Sequence, residues 1–328
     1  MAHVVDLKAI QDAYARLSSF LHLTPVLTST TVDEKIGRKV FFKAESFQKT
    51  GAFKIRGALN AVLSLKSSNP NLKGVATHST GNHGQALAAA AKLTKIPCSV
   101  VVPENTSLVK IDAIKGYGAN VVFCKTTQQS RNETCERVAM ETNSVIVPPY
   151  DHKDVIAGQG TISLEFLNQV PDLDALIVSV SGGGLISGIA CAAKSLKPEI
   201  KVFAAEPEGK ELEKSLRAGK RMWPNPPRSI ETIADGMRTQ QLGQLTWPIV
   251  RDLVEKIVFT VNDEEIAAAM KFIFERLKVV VEPSGAVPLA AAFSPRFKDV
   301  LHENESLRKI GIVLCGGNVD LDCLPWIH

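Results

Sequence analysis

Short apolar runs alternate with helix-length amphipathic stretches along most of this chain. The segment A-L-I-V-S-V at 175–180 is continuously apolar, as is typical of a strand buried on both faces of a parallel sheet. Strands that alternate with helices form parallel sheets through right-handed crossovers, so the pattern predicts an α/β fold. The predicted strands cover residues 75–77, 98–102, 120–124, 144–147, 175–180, 201–205 and 310–314.

Composition narrows the class of protein. The 328 residues suffice for one large domain or two of ordinary size, and 45% hydrophobic with 22% charged residues is typical of a globular protein. The net charge is +4 and no basic block stands out, so we expect no nucleic-acid partner. No apolar run reaches roughly eighteen residues, so we expect no membrane-spanning segment.

The cysteines and the N-terminus indicate a compartment. The 6 cysteines form no Cys-x-x-Cys pair, which argues against a zinc site and a disulfide framework and suggests a reducing environment. The first residues, M-A-H-V-V-D-L-K, carry an early acidic residue and lack an apolar signal core. We therefore expect a cytoplasmic enzyme or binding protein.

Lys54 stands in the segment S-F-Q-K-T-G-A-F-K-I-R-G-A-L-N, where a glycine-containing turn runs into a helical pattern. A lysine held between a turn and a helix can form a Schiff base with an aldehyde cofactor. The alternative is a solvated surface lysine.

Two loops follow predicted strands and precede predicted helices. The first, H-S-T-G-N-H-G at 78–84, has the residues that a helix N-terminus uses to bind an anion such as a substrate carboxylate. The second is Ser181-Gly182-Gly183-Gly184-Leu185, whose amides can converge on a phosphate. Its spacing matches neither the Rossmann nor the Walker motif, which favours a single monoester phosphate. An ordinary capped turn and a flexible glycine turn remain the alternatives.

Cys315 and an acidic patch are further candidates. Cys315 ends an apolar strand, where a side chain faces the ligand crevice of α/β proteins, so it can contact a ring nitrogen or serve as a core thiol. The acidic patch has the oxygen ligands that hard divalent cations prefer, which suggests a metal site. The alternative is a solvated helix face. Its residues are Glu206, Glu208, Glu211 and Glu213.

Five motifs in a fixed order resemble a known family. They are F-Q-K-T-G-A-F-K-I-R-G-A, S-T-G-N-H-G-Q-A, V-I-A-G-Q-G-T, E-T-I-A-D-G and L-C-G-G-N-V-D. Over nearly its whole length the chain resembles the fold-type II pyridoxal-phosphate enzymes, most closely the serine racemase and serine/threonine dehydratase family. The resemblance implies a tryptophan synthase β-like architecture of two three-layer αβα domains with mainly parallel sheets. The large cofactor-binding domain would comprise 1–71 and 148–328, and the small mobile substrate domain 72–147.

The resemblance also implies roles for single residues around pyridoxal 5'-phosphate. Lys54 would carry the cofactor as a Schiff base and act as the base on one face of the substrate, with Phe53 packed beside the cofactor. Asn82 would bind the pyridoxal 3'-oxygen, Cys315 would face the ring nitrogen, and the amides of 181–185 would bind the phosphate. The substrate carboxylate would lie against Ser79, Thr80, Asn82 and His83.

Thr80 stands where the family's racemases have serine and its dehydratases often have alanine. Its hydroxyl keeps an acid on the face opposite Lys54 possible, although the extra methyl group restricts χ1. Return of the α-proton by that acid gives the other enantiomer, whereas loss of the β-hydroxyl leads to pyruvate and ammonia.

Other implied sites bind Mg2+ or Ca2+ and ATP. Glu206, the carbonyl of Gly209 and Glu211 would bind the metal ion, although their spacing is one residue shorter than expected. ATP would act as an allosteric activator, and the family also implies a homodimer. The matching nucleotide positions are Ser29, Thr30, Lys49, Thr50, Gln85 and Tyr117.

The resemblance therefore implies an enzyme that interconverts L-serine and D-serine and also dehydrates serine to pyruvate. One alternative is a dedicated L-serine/L-threonine or threo-3-hydroxyaspartate ammonia-lyase. Another, of a different class, is a catalytically idle protein that binds pyridoxal phosphate or another ligand.

Overall fold

The computed structural model describes residues 3–79, 81–106, 108–225 and 228–327. The strands are β1 Val26–Thr28, β2 Lys39–Ala44, β3 Val75–His78, β4 Cys98–Pro103, β5 Asn120–Cys124, β6 Val145–Ile146, β7 Ala175–Ser179, β8 Lys201–Pro207, β9 Val258–Val261 and β10 Lys309–Leu314. The α-helices are α1 Leu7–Leu17, α2 Thr30–Ile36, α3 Lys54–Ser68, α4 Asn82–Thr94, α5 Leu108–Gly116, α6 Gln128–Thr142, α7 Lys153–Gln169, α8 Gly184–Leu196, α9 Leu212–Ala218, α10 Thr246–Leu253, α11 Asp263–Phe272, α12 Pro283–Phe293 and α13 Pro295–Glu303. Short 3-10 turns lie at Glu45–Phe47, Lys49–Gly51, Asp235–Met237 and Leu321–Cys323, and a π-helical turn at Ile273–Leu277.

A six-stranded sheet in the order β1-β2-β10-β7-β8-β9 forms the centre of the larger part. Only β1 pairs antiparallel with its neighbour, and the other pairs are parallel. Strand β7 is buried on both faces, as its apolar sequence predicts: Ala175 and Ile177 pack with α11, α12 and α13, whereas Leu176 and Val178 pack with α7, α8 and α10. Helices therefore cover both faces of this sheet.

A second sheet, in the order β5-β4-β3-β6, is parallel throughout and has four strands. Val100 and Val102 of β4 pack towards α4 and α5, and Val101 packs towards α6, so this sheet also lies between helical layers. Its strands fall within 75–146, inside the range predicted for the small domain. The division into domains at 72 and 147 stays a prediction.

The predicted strands are confirmed as β3 to β8 and β10, and the predicted α/β class is confirmed with them. Three further strands were not predicted. Strands β1 and β9 lie at the edges of the larger sheet, and β2 lies inside it. In the described part of the chain, no helix combines the length and the apolar composition needed to cross a membrane.

Helix α7 explains the motif V-I-A-G-Q-G-T in physical terms. A Cβ atom at Gly158 would lie 2.5 Å from the carbonyl oxygen of Arg56 and 2.6 Å from the Cα of Gly57 in α3. A Cβ atom at Gly160 would lie 2.8 Å from the carbonyl oxygen of Gly188 in α8. Only glycine lets these backbones approach so closely. Helix α7 thus fixes α3, which begins with Lys54, against α8, which begins at the glycine loop.

A buried ionic cluster fixes the first turn of α3. The Arg56 guanidinium contacts the carboxylates of Glu45 and Glu165, each at 2.7 Å, and the Lys43 ammonium contacts Glu165 at 2.7 Å. Thr24 Oγ1 donates to Glu45 at 2.6 Å. The side chains of the ion pairs are at most 5% exposed, so the pairs are shielded from water and satisfied by one another.

Candidate active site

Lys54 lies where the chain after β10 meets the start of α3. Ala52 forms an antiparallel bridge with Gly316. The backbone N–H of Phe53 donates to the carbonyl of Cys315 at 3.0 Å. Lys54 follows as the first residue of α3, and its Nζ lies 5.2 Å from the ring centroid of Phe53. The lysine is therefore positioned by backbone contacts, as predicted for a lysine between a turn and a helix.

The environment of the Lys54 amine raises the fraction of its neutral form. Nζ donates to the carbonyl oxygen of Pro149 at 2.7 Å. Burial lowers the pKa of Lys54 to about 8, although the charge of Glu282 opposes the change. A lowered pKa leaves more free amine near neutral pH, and the free amine is the form that attacks an aldehyde.

The glycine loop packs too closely against neighbouring residues to carry side chains. Gly183 has φ +93°, in the left-handed region, and α8 begins at Gly184. A Cβ atom at Gly182 would lie 2.5 Å from the ring of Tyr150. The carbonyl of Gly182 accepts from the N–H of Gly243 at 3.1 Å and from Thr246 Oγ1 at 2.8 Å. The loop is thus fixed at the N-terminus of α8, where amides attract a phosphate.

Cys315 is a neutral thiol at the end of β10. The residue is 4% exposed, and its Sγ donates to the carbonyl of Ser284 at 3.4 Å. Burial raises the pKa of Cys315 to about 12. The Oγ of Ser284 is buried and has no hydrogen-bond partner among the described residues.

The loop after β3 brings several predicted residues to the same region. Asn82 begins α4; its Nδ2 donates to Glu282 at 2.7 Å, and its Oδ1 accepts from Asn318 at 2.8 Å. His83 is 2% exposed, its Nε2 contacts the carbonyl of Val147 at 2.9 Å, and its Nδ1 has no partner within the described ranges. Burial lowers the pKa of His83 to about 3, so the ring is neutral. The Oγ of Ser79 accepts from the N–H of Gly81 at 3.4 Å. Thr80, the predicted opposite-face acid, lies outside the described residues.

A family model described as "Pyridoxal-phosphate dependent enzyme" matches residues 17–316. The chain belongs to this family of pyridoxal-phosphate-dependent enzymes. Serine racemase from Oryza sativa subsp. indica is 48% identical, over 98% of this chain and 93% of the relative.

Two solved structures support the same assignment. That of a pyridoxal 5'-phosphate-dependent aspartate racemase has a TM-score of 0.97 and 50% identity, and the match covers 100% of both chains. Maize serine racemase has a TM-score of 0.92 and 48% identity, over 97% of this chain and 95% of that one. The predicted family and the fold-type II architecture are confirmed.

The residues of this pyridoxal-phosphate enzyme fit its cofactor. The Lys54 amine with its lowered pKa suits the aldehyde, and the glycine loop at the N-terminus of α8 suits the phosphate. The unpartnered His83 Nδ1 and Ser284 Oγ are buried polar atoms of the kind that a ligand satisfies.

Glu282 is a candidate site residue that the sequence patterns did not predict. It precedes α12, is 3% exposed, and its Oε1 would lie 2.8 Å from a Cβ atom at Gly316. Burial raises the pKa of Glu282 to about 7, with a further contribution from Asp235. Its sequence context, V-E-P-S-G-A-V-P, carries no signal beyond an acid before a proline at a helix start.

The predicted metal ligands do not fit a divalent cation. Glu206 is buried and its Oε1 accepts from the N–H of Leu212 at 3.1 Å, whereas Glu211 is exposed at the start of α9. The carbonyl of Gly209 accepts from Gln240 at 3.1 Å. Within the described ranges, no group of three or more His, Cys, Asp and Glu side chains is arranged to hold a metal ion. Lys210 lies between Gly209 and Glu211 in the sequence. Its side chain is buried and brings a positive charge into this turn.

The predicted nucleotide residues lie in different parts of the fold. Ser29 and Thr30 are at the start of α2 beside the larger sheet, whereas Tyr117 packs against the core of the four-stranded sheet. Lys49 and Thr50 form the turn that packs against α4, the helix that carries the buried Gln85. Their assignment to a nucleotide stays a prediction.

Proposed function

We propose that this chain is a serine racemase that interconverts L-serine and D-serine and also dehydrates serine to pyruvate and ammonia. The observation that carries the proposal is the buried amine of Lys54, the first residue of α3. Burial lowers its pKa to about 8, and the neighbouring Phe53 is bonded to the Cys315 carbonyl. The likeness to serine racemases over nearly the whole chain supports the choice of reaction.

Each group of the site has a distinct part in the proposal. When bound, pyridoxal phosphate delocalises the electron pair left on the α-carbon of an amino acid. Lys54 holds the cofactor and removes the α-proton from one face. The amides of 181–185 would hold the phosphate, Phe53 would pack beside the ring, and the neutral Cys315 thiol would face the ring nitrogen. A neutral thiol would not force protonation of that nitrogen, because it has no charge to stabilise a pyridinium.

The substrate is held from the other side of the site. Asn82 binds the 3'-oxygen of the cofactor, and the loop with Ser79, Thr80, Asn82 and His83 receives the substrate carboxylate. Because the neutral His83 ring has a single N–H, which Nε2 donates to the Val147 carbonyl, His83 positions the loop and does not donate to the carboxylate. The hydroxyl of Thr80 returns a proton to the face opposite Lys54, and this step separates racemisation from dehydration.

Incubation of the purified protein with L-serine, followed by chiral separation and a pyruvate assay, tests the proposal. We expect both D-serine and pyruvate, and neither from Lys54→Ala. Thr80→Ala should lose racemisation more than dehydration, and Thr80→Ser should keep both. Formation of pyruvate without D-serine would show that the protein is a dedicated ammonia-lyase and not a racemase. No absorbance change on addition of the cofactor would favour a protein that does not bind it.

Aspartate racemisation is a second candidate. It is favoured by the aspartate racemase structure, which this chain matches over its full length. L-aspartate and L-serine should therefore be assayed in parallel under the same conditions. A kcat/KM for aspartate above that for serine would make aspartate the principal substrate.

The family resemblance extends the proposal to a cytoplasmic homodimer that ATP activates. Light scattering tests the dimer, and the serine assay with and without ATP tests the activation. Lys49→Ala, in the turn against α4, should abolish an ATP effect while leaving activity without ATP unchanged.

A further inference from the structure

Lys210 is a buried lysine in the turn between β8 and α9. The residue is 1% exposed, and its Nζ donates to the carbonyl oxygens of Ser181 and Gln240, both at 3.2 Å, and of Thr239. The acidic group whose charge acts on it is Glu206, which is also 1% exposed. Lysine is seldom fully buried unless it is paired, so these contacts account for the burial of Lys210.

The number and type of these partners match a cation. An ammonium group has three N–H donors and no acceptor, and the three carbonyl oxygens use all of them. A neutral amine would have only two N–H groups to offer. Main-chain carbonyls with a buried carboxylate nearby are also the oxygen ligands that hard divalent cations bind.

We propose that the Lys210 ammonium group takes the place of a divalent cation, so that this enzyme folds and holds its cofactor loop without a metal ion. The acidic patch that suggests a metal site in the sequence then has another explanation. Glu206 is the counter-charge of an internal cation, and Glu211, on the surface, is not a ligand.

The contacts of Lys210 show what the internal cation does. Through Ser181 it reaches the first residue of the glycine loop, and through Thr239 and Gln240 it reaches the segment before Gly243. The N–H of Gly243 in turn donates to the carbonyl of Gly182. The backbone of the turn is held as well, because Trp223 Nε1 donates to the Lys210 carbonyl at 2.6 Å. Lys210 thus connects three chain segments at the proposed phosphate site.

The wild-type holoprotein provides the first test. We expect as-purified protein to contain no stoichiometric Mg2+ or Ca2+ by elemental analysis. Its thermal midpoint should be the same after EDTA treatment and in millimolar MgCl2 or CaCl2, each compared with NaCl of equal ionic strength. A stoichiometric divalent metal, or a midpoint that EDTA lowers and the metal restores, would overturn the proposal.

Substitution of Lys210 provides the second test. Lys210→Met removes the charge while filling much of the space, and we expect the midpoint to fall by about 5–15 °C. The midpoint of Lys210→Ala should fall by a similar amount. Because the smaller side chain leaves room for an ion, Mg2+ or Ca2+ should raise this midpoint in a saturable way. Lys214→Met, at an exposed lysine of α9, is the matched control and should show neither effect.

Each result of the substitutions supports or contradicts the proposal that the Lys210 ammonium group takes the place of a divalent cation. A Lys210→Met midpoint equal to that of the wild type would show that the charge is dispensable. A folded Lys210→Ala protein that neither cation stabilises would show that ammonium and divalent cation are not interchangeable at this position. If Lys210→Ala does not fold, the metal content and the EDTA response of the wild type still decide. None of these measurements depends on which amino acid the enzyme turns over.

Discussion

The Nδ2 of Asn82 donates to the Oε1 of Glu282 at 2.7 Å. Asn82 begins α4, which packs on the four-stranded sheet, and Glu282 precedes α12, which packs on the larger sheet. A second bond, from Asn318 to the Oδ1 of Asn82, reinforces the first. The two parts of the fold thus meet in side chains next to Lys54, whose pKa responds to the charge of Glu282.

Glu282→Gln should change how stability depends on pH. The pKa of Glu282 rises from 4.5 to about 7 on folding, because burial disfavours the carboxylate. A raised pKa means that its contribution to stability is fully present below about pH 4.5 and is lost as the pH rises through about 7. Relative to Glu282→Gln, the wild type should therefore lose about 3 kcal/mol of unfolding free energy between these limits.

Urea unfolding of the cofactor-free proteins at both ends of this range measures the effect. Glutamine can still accept from Asn82, so the hydrogen bond is kept in the variant. Glu305→Gln, at an exposed acid, is the control and should follow the wild type. Parallel pH profiles of the wild type and Glu282→Gln would contradict the raised pKa.

His83→Gln should act in the opposite pH direction. Burial lowers the pKa of His83 from 6.5 to about 3, so the folded state favours the neutral ring. Its contribution is fully present above about pH 6.5 and is lost as the pH falls through about 3. Between neutral pH and about pH 5, the wild type should therefore lose about 2 kcal/mol more unfolding free energy than the variant does.

The measurement is again urea unfolding, at about pH 7 and about pH 5. Glutamine retains a donor for the Val147 carbonyl, and His302→Gln, at an exposed histidine, serves as the control. If the wild type and His83→Gln lose equal stability on acidification, His83 is not the group that resists protonation.

Local sequence signals predicted the strands and loops whose chemistry is contained in a few neighbouring residues. The glycine loop at 181–185 and the turn before Lys54 are of this kind, because backbone freedom and helix starts depend on adjacent residues. Strand β2 escaped prediction because it contains Lys43, whose buried ammonium group donates to the Thr24 carbonyl and to Glu165 and Gln169, the last two more than a hundred residues away. Contacts at such separation leave no local pattern.

The same limit explains why the sequence did not reveal the roles of Glu282 and Lys210. Glu282 is a single acid before a proline, and only folding brings it to Asn82, 200 positions earlier. Lys210 stands among four glutamates, so the segment resembled an acidic patch, and the carbonyls that receive its ammonium group come from two other segments. Neither partner set is visible before the sheets are assembled.

Gly158→Ala should destabilise the protein and weaken cofactor binding. The new Cβ would meet backbone atoms of α3 at 2.5–2.6 Å, which cannot move away as a flexible side chain can. Overpacking of this kind costs about 1–3 kcal/mol. Because α3 begins with Lys54, its displacement should also lower the affinity for pyridoxal phosphate.

Urea unfolding and a spectroscopic cofactor titration measure the two effects. Gly116→Ala is the matched control, since a Cβ there would meet nothing within 4 Å. Unchanged stability of Gly158→Ala would mean that α3 and α7 are not in close backbone contact.

Arg56→Met should destabilise the protein more than Gly158→Ala does. It leaves Glu45 and Glu165 buried without their guanidinium partner, while Lys43 can compensate only part of the charge. Removing one partner of a buried ion pair costs about 3–5 kcal/mol, because the remaining charge has lost both its counter-ion and its water. The loss should appear in urea unfolding at neutral pH.

The comparison that isolates burial is Arg137→Met, which breaks an ion pair with Glu141 whose side chains are 54% and 58% exposed. Surface pairs contribute little, so this change should stay within about 0.5 kcal/mol. The double variant Arg56→Met with Glu45→Gln should recover part of the loss, because one of the two unpaired carboxylates is then neutral. If the double variant is no more stable than Arg56→Met, the cost comes from lost packing of the arginine and not from stranded charge.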